Sequence, residues 1–340
     1  MGNAGLKLSI LDQCPANEPE TASDAFQNTI ELVRKAEAWG YHRFWVAEHH
    51  GSNRVMGSSP EVLISHLLAK TTRIRVGAGG VMLQHYSPYK VAENFNVLAS
   101  LAPGRVDLGI GGGPGGLPQS TRALQQEMGP ETTPLPEKLL ELDRFLHDKL
   151  EESHPLYGLK ASPTPPQPAD LYLLGTTPSS AELAASLGMP YVFALFLNHD
   201  EPVMKQAIET YRSRFDASNG TGPHAMLALP VMVADTDGEA EGYASEITPV
   251  RIRLESGRTF TVFSVEAAEE FGRQSQENFA YEVQEGKVIH GSQETVRRKI
   301  LDVQHRYQVD ELFIVTAIRN FQKRLRSYEL LSLVFTSPLP

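Results

Sequence analysis

About eight short apolar runs punctuate the 340-residue chain, and amphipathic stretches separate them. "LKLSIL" is followed by residues Asp24 to Trp39, where Phe26, Ile30 and Val33 recur at helical spacing. "RFWVA" precedes "SPEVLISHLLAK", "RIRVGAGGVML" precedes "SPYKVAENFNVLASL", and "DLYLLG" precedes "TPSSAELAASLG". "RVDLGI", "YVFALF", "AMLALPVMVA" and "DELFIV" complete the set. Strands joined through helices must run parallel, because a parallel partner is reached only by a long crossover. Eight such units close into a (β/α)8 TIM barrel, with an open doubly wound sheet as the second arrangement.

No composition break divides the chain, so residues 1–340 are expected to form one barrel domain. "YGLKASPTPPQPAD" reads as a surface loop, since its prolines cannot donate to a ladder. Residues 245–290 break the alternation. "PVRIRLESGRTFTVFS" alternates around Ser256-Gly257, which predicts a hairpin inserted between the seventh helix and the eighth strand, as a lid.

A net charge of −10 gives nucleic acid no basic face to bind. The densest basic run, "RNFQKRLRSYELL", reads as the solvated face of a last helix. No segment reaches the roughly 20 apolar residues that span a bilayer. The start "MGNAGLKLSI" has no signal-peptide pattern, and Leu6 stands where a myristoylation signal needs Ser or Thr. Cys14 is the single cysteine, too few for an internal disulfide or a cysteine metal site. A reducing cytoplasm is the expected location.

In a parallel barrel the reactive face is built from the loops after the strands. The unusual polar residues collect there: Asp12 and Cys14, then Glu48-His49-His50, then Gln84-His85-Tyr86, "GIGGGPGG" and "GTTPSSAE". Adjacent residues on an extended strand point to opposite sides, so His49 and His50 do not converge on one metal. A single mouth-facing histidine suits proton transfer near neutral pH. A metal-dependent hydrolase using His49, His85 and Asp12 is the reading this spacing disfavours, and no metal is expected.

The glycines of "VGAGGVML" mark either the close approach of a flat ligand or a twist that helps the barrel close. "GGGPGG" matches G-x-G-x-x-G from Gly111 to Gly116, but Pro114 interrupts it and no helix starts at once. In "GTTPSSAELAASLG" a hydroxyl-rich loop opens into a helix. Gly175, Thr176, Thr177 and Ser180 there are expected to take a phosphate, with a plain N-cap as the alternative.

Taken together, "FWVAEHH", "RIRVGAGGVMLQHYSPYKVAENF", "APGRVDLGIGGGPGG" and "LYLLGTTPSSAELAASLG" resemble the bacterial luciferase-like flavin-dependent monooxygenases. "LSILDQCP" and "DELFIVTAIRNFQKRLRSYELL" extend the likeness over nearly the whole chain. The resemblance implies an insertion-bearing barrel that uses reduced FMN as a co-substrate from a separate reductase. It implies reaction with O2 through a peroxyflavin and oxidation of a small organic molecule, usually by a homodimer. By position it implies His49 as the proton-transfer residue and Gly79-Gly80 as a cis peptide beneath the flavin ring. Gly111 and Gly112 fall beside the cofactor, and Thr177 and Ser180 at its phosphate. The family often carries an arginine where this chain has Gly112, which removes a charged contact. Cys14 stands where a small hydroxyl residue is common and is not read as a nucleophile. Two other outcomes follow from the same resemblance: hydride transfer with a deazaflavin coenzyme, or a non-catalytic flavin binder.

Overall fold

The computed structural model describes residues 5–128, 133–218 and 220–335. Met1 and Gly2 lie outside the described residues, as do residues 129–132. The chain runs through β1 (Lys7–Asp12), α1 (Ala22–Ala38), β2 (Arg43–Val46), α2 (Pro60–Lys70), β3 (Arg75–Val81), α3 (Pro88–Leu101), β4 (Val106–Gly111), α4 (Pro118–Leu124) and α5 (Leu135–Leu146). Next come β5 (Asp170–Gly175), α6 (Pro178–Ser186), β6 (Tyr191–Ala194), α7 (Leu195–Asn198), α8 (Glu201–Arg214), β7 (Ala225–Val233) and α9 (Asp237–Ala244). The last third holds β8 (Val250–Leu254), β9 (Thr259–Val262), α10 (Val265–Ser275), β10 (Phe279–Val283), β11 (Ile289–Gly291), α11 (Gln293–Tyr307), β12 (Glu311–Val315) and α12 (Phe321–Phe335).

Strands β1 to β7 and β12 pair in parallel around a ring. The ring closes where Tyr191 meets Ala225 between β6 and β7, and where Lys7 meets Glu311 between β1 and β12. Closure excludes the open doubly wound sheet. The molecule is a (β/α)8 barrel, with β11 added outside β7 at Val231–Val233.

Local chemistry explains several element ends. Thr21 and Asp24 form a reciprocal capping box that starts α1 two residues before Asp24. Proline stands in the first turn of α2, α3 and α6, where its missing N–H costs nothing. Alternate residues of each barrel strand point inward. At the amino-terminal end these are Ser9, Arg43, Asp107 and Glu311, all buried. One layer above lie Leu11, Trp45, Tyr172, Val192, Met226 and Phe313.

Trp45 fills the barrel axis. Its ring centroid lies 4.2 Å from that of Phe313 and 5.0 Å from that of Tyr172. An indole buries about 150–250 Å², worth roughly 4 to 6 kcal/mol of transfer free energy. Space for it comes from facing glycines. A Cβ on Gly77 would lie 2.9 Å from the indole Nε1, one on Gly79 2.9 Å from Cε3, and one on Gly109 3.3 Å from Cζ3. Gly77 and Gly79 of β3 thus make room for a tryptophan, a role beside the two readings the sequence left open, whereas a Cβ on Gly80 would meet Gly109 O at 2.8 Å.

The insertion is larger than a hairpin. β8 and β9 turn at Ser256-Gly257, where Gly257 adopts φ +81°. β10 adds antiparallel to the other edge of β8, and α10 packs Ala268 and Phe271 on Val250, Ile252 and Leu254. The unit lies in the connection from β7 to α11, so it leaves the barrel at the carboxyl ends of the strands. The basic run near the end of the chain is solvated at Arg319, Lys323 and Arg326, as read, but α12 buries Arg324, whose guanidinium lies 5.4 Å from the Phe321 ring centroid.

Arg43 links the amino-terminal layer, donating to Glu311 and Asp107 at 2.9 Å each and to the Tyr172 hydroxyl at 2.7 Å. Removing one partner of a buried ion pair strands the other charge. Asp107→Asn is expected to lower unfolding stability by about 3 kcal/mol, read from urea denaturation. A loss below about 1 kcal/mol would show that the network is not needed for stability.

Candidate active site at the carboxyl end of the barrel

The end of β2 carries the densest set of polar groups. Glu48 is 1% exposed. Its Oε1 lies 2.7 Å from His50 Nε2 and accepts from the Tyr86 hydroxyl at 2.8 Å, while Oε2 accepts the Met82 N–H at 3.1 Å. One carboxylate thus ties the end of β2 to the segment after β3. Burial, then the neighbouring Glu48 charge, pushes the Tyr86 hydroxyl well above its usual pKa.

His49 turns the other way, as extended alternation requires. Its Nε2 lies 2.8 Å from Gln13 Oε1, which comes from the loop after β1. The backbone N–H of His49 donates to Gly57 O at 2.8 Å, fixing the ring's base. Gln13 Nε2 is buried and has no hydrogen-bond partner among the described residues. Gln13 was not singled out from the sequence, because the contact joins residues 36 apart.

The glycine-rich loop after β4 wraps His50 rather than starting a helix. Gly115 O accepts the His50 N–H at 2.8 Å, and a Cβ on Gly116 would lie 2.4 Å from His50 O. His85 Nε2 lies 2.9 Å from Pro114 O, and Gln84 Nε2 donates to Gly113 O. Gly111 ends β4 in the interior, whereas Gly112 is exposed and a Cβ there would meet only Leu135 Cδ2, at 3.3 Å. The Gly79–Gly80 peptide bond, at the same end of β3, is cis.

Across the mouth, Thr177 caps α6. Its Oγ1 accepts the Ser180 N–H at 3.2 Å, and Ser180 Oγ accepts the Thr177 N–H at 3.3 Å. Ser180 Oγ also lies 2.9 Å from the Tyr191 hydroxyl. Gly175 is required here, since its Cβ would meet Ser180 Oγ at 2.0 Å. The N-cap reading therefore describes Thr177 and Ser180 as they stand. Thr176 is held by its carbonyl, which accepts from Asn198 Nδ2 at 2.7 Å.

The residues of the metal-hydrolase reading stay apart. Asp12 accepts from Thr29 Oγ1 at 2.6 Å, while His85 and His49 bond to Pro114 and Gln13. Among the described residues, no group of three or more His, Cys, Asp or Glu is placed to hold a metal ion. Cys14 is buried, and burial, then the adjacent Asp12, pushes its thiol up to about 12.

The inserted unit overhangs this end. Gln274 Oε1 accepts the Gln119 N–H at 3.0 Å and Arg251 donates to Asn198 O at 3.1 Å, so the unit rests on the connections after β4 and β6. Beside it, between the loops after β1, β2 and β12, lies a cavity of about 560 Å³ lined by Asn17, Glu20, Arg54 and Arg319 among others.

A family model described as luciferase-like monooxygenase matches residues 8–310. The chain belongs to that family. It is 42% identical over 329 residues to the N-acetyl-S-alkylcysteine monooxygenase of Bacillus subtilis (strain 168), a match covering 96% of this chain and 97% of that protein. It is 33% identical over 344 residues to a luciferase-like monooxygenase of Escherichia coli (strain K12), covering 97% of each. The crystal structure of apo-MsnO8 is similar over 99% of this chain and 100% of that one, with a TM-score of 0.79 and 32% identity. Among the described residues, no helix is long and apolar enough to cross a membrane.

His49, His85 and His199 are all held below the ordinary imidazole pKa, in each case first by burial. Below about pH 6.5 the unfolded chain therefore binds more protons than the folded one, and stability falls on acidification through that window. Urea midpoints are expected to be lower at about pH 5.5 than at about pH 7.5, with a smaller drop in His49→Gln. Equal drops in variant and wild type would show that His49 ionises as freely folded as unfolded.

Proposed function

We propose that this family member is a two-component flavin monooxygenase, taking reduced FMN from a separate reductase and using O2 to oxidise a small organic substrate. The observation that carries the reading is the pair His49–Gln13: a desolvated imidazole beside a buried amide whose Nε2 has no partner among the described residues. An unsatisfied buried donor costs about 1–3 kcal/mol, which an acceptor on a bound ring system would recover. The residues fit a flavin laid across the mouth. Gly79, Gly80, Gly111 and Gly112 offer backbone to a flat ring, and the loop of Gly175, Thr176, Thr177 and Ser180 offers hydroxyls to a phosphate, the Thr177 and Ser180 N–H groups being held in the capping box.

Bound reduced flavin supplies the two electrons that let O2 deliver one oxygen atom to substrate and the other to water. The chain's own part is to hold and exclude. His49, neutral near pH 7, donates Nε2–H to Gln13 Oε1, which fixes the ring's direction and leaves Nδ1 to take and return a proton. The inserted sheet keeps water from the mouth. The 42% identical relative makes S-alkylated N-acetylcysteines the first substrates to assay. The working protein is a cytoplasmic homodimer on this reading.

Anaerobic fluorescence titration with reduced FMN, oxidised FMN and a deazaflavin coenzyme tests it. Selective binding of reduced FMN is the expected result. Preference for the deazaflavin would move the protein to oxygen-independent hydride transfer, and binding of none would end the flavin reading. His49→Ala is expected to bind reduced FMN normally but lose about 10²–10⁴-fold in substrate oxidation. Unchanged, fully coupled oxygenation would remove His49 from the chemistry. Gly112→Arg is expected to tighten FMN binding about tenfold, since a charged hydrogen bond is worth about 1.5–3 kcal/mol; an unaltered Kd would show that this position does not reach the cofactor.

A further inference from the structure

Among the described residues, the half-buried Arg251 at the mouth has no carboxylate partner. Arg251 lies on β8, alternating with Val250 and Ile252, which pack beneath α10. In register it stands opposite Glu282 on β10, an arrangement that favours an ion pair across strands. Yet Arg251 has no carboxylate within 4.0 Å among the described residues. Its guanidinium turns instead to the connection after β6, where Nη2 donates to Asn198 O at 3.1 Å and approaches Asn198 Oδ1 at 3.5 Å. Asn198 in turn donates Nδ2 to Thr176 O at 2.7 Å. Two hydrogen bonds thus join the arginine of the inserted sheet to the loop that opens α6.

A second observation points to the same place. His199, next in sequence to Asn198, is 5% exposed, and among the described residues neither ring nitrogen has a hydrogen-bond partner of good geometry, the nearest being the Phe196 backbone. Arg251 and Lys287 both lie near enough to disfavour a proton on it, after the larger effect of burial. Two cations thus lie near the His199 ring, and Glu282 is the acidic group in register with Arg251.

A phosphate monoester carries about −1.5 to −2 charges near pH 7. The loop 175–180 offers it hydroxyls and N–H groups but no cation, and position 112 is glycine. We propose that Arg251 supplies the missing charge, so that the inserted sheet holds the phosphate end of the flavin against the amino end of α6. The assignment rests on the flavin reading above. A guanidinium already seated by Asn198 keeps its remaining N–H groups for a forked contact with phosphate oxygens.

The test is anaerobic fluorescence titration with reduced FMN and with reduced riboflavin, which lacks the phosphate, on wild type, Arg251→Gln and Arg251→Lys. Wild type is expected to prefer FMN. Arg251→Gln is expected to lose about tenfold in FMN affinity and nothing in riboflavin affinity, while Arg251→Lys keeps most of the preference. Arg251→Gln binding FMN as wild type does would overturn the assignment. So would equal weakening of both flavins, which marks a structural role. Wild type binding both flavins equally would leave the flavin reading standing and remove the phosphate role. Wild type binding neither would remove both.

Discussion

A buried guanidinium at the amino-terminal end of the barrel sets the direction of everything above it. Arg43 needs counter-charges, and it finds them on β4 at Asp107 and on β12 at Glu311, with Ser9 of β1 donating to the same Glu311 at 2.6 Å. Such a network adds little net stability over apolar packing. What it fixes is register: a one-residue slip of β2 would turn Arg43 into the apolar layer beneath the helices and bring Phe44 inside. With that end of the barrel interior plugged by charge and the middle filled by Trp45, a ligand reaches the barrel axis from the carboxyl end. The asymmetry of the barrel is thus built into one strand, from Arg43 through Trp45 to Glu48.

Glu48 then divides the two histidines that follow it. Its oxygens are filled by His50, Tyr86 and the Met82 N–H, so His50 is held as part of a clamp between β2 and the segment after β3. The loop at Gly115 and Gly116 closes over His50 through backbone contacts, which explains why glycines recur there without a dinucleotide-type helix behind them. His49 is left on the opposite side with Gln13. Neighbouring residues of one type acquire different roles because strand geometry sends them to different partners.

The eight barrel strands were legible because each is a short apolar run bounded by glycine, proline or small polar residues, and because parallel strands buried on both faces need no alternation to be recognised. The start of α1 was misplaced by two residues, since the capping signal is Thr21 with Asp24 and not Asp24 alone. β10 was missed altogether. All five of its residues are exposed, including Phe279 and Tyr281, so no pattern marked it, and its pairing with β8 spans more than twenty positions. The same distance problem hid the reason for Gly77 and Gly79, whose partner Trp45 lies on another strand, and the Gln13–His49 and Arg251–Asn198 contacts. Arg324 failed for a different reason: a charge run looks solvated until the helix carrying it is laid on the barrel. Sequence pattern reports which face of one element is apolar, whereas a site is made of contacts between elements.

The start of α6 shows how far that difference reaches. Its hydroxyls suggested an anion site, yet the capping box occupies the Ser180 N–H and Pro178 has none, so few donors remain for a ligand. A helix terminus so depleted is a poor binder of a doubly charged group unless a cation joins it. The inserted sheet is the element placed to bring one, and it leaves the barrel only through the connections at either end. Holding the phosphate and covering the mouth then become one event. A phosphate that bonds Arg251 adds its contact to the Arg251–Asn198 and Gln119–Gln274 hydrogen bonds that already seat the insertion on the barrel. A flavin lacking its phosphate would fill the ring site and leave that added contact unmade.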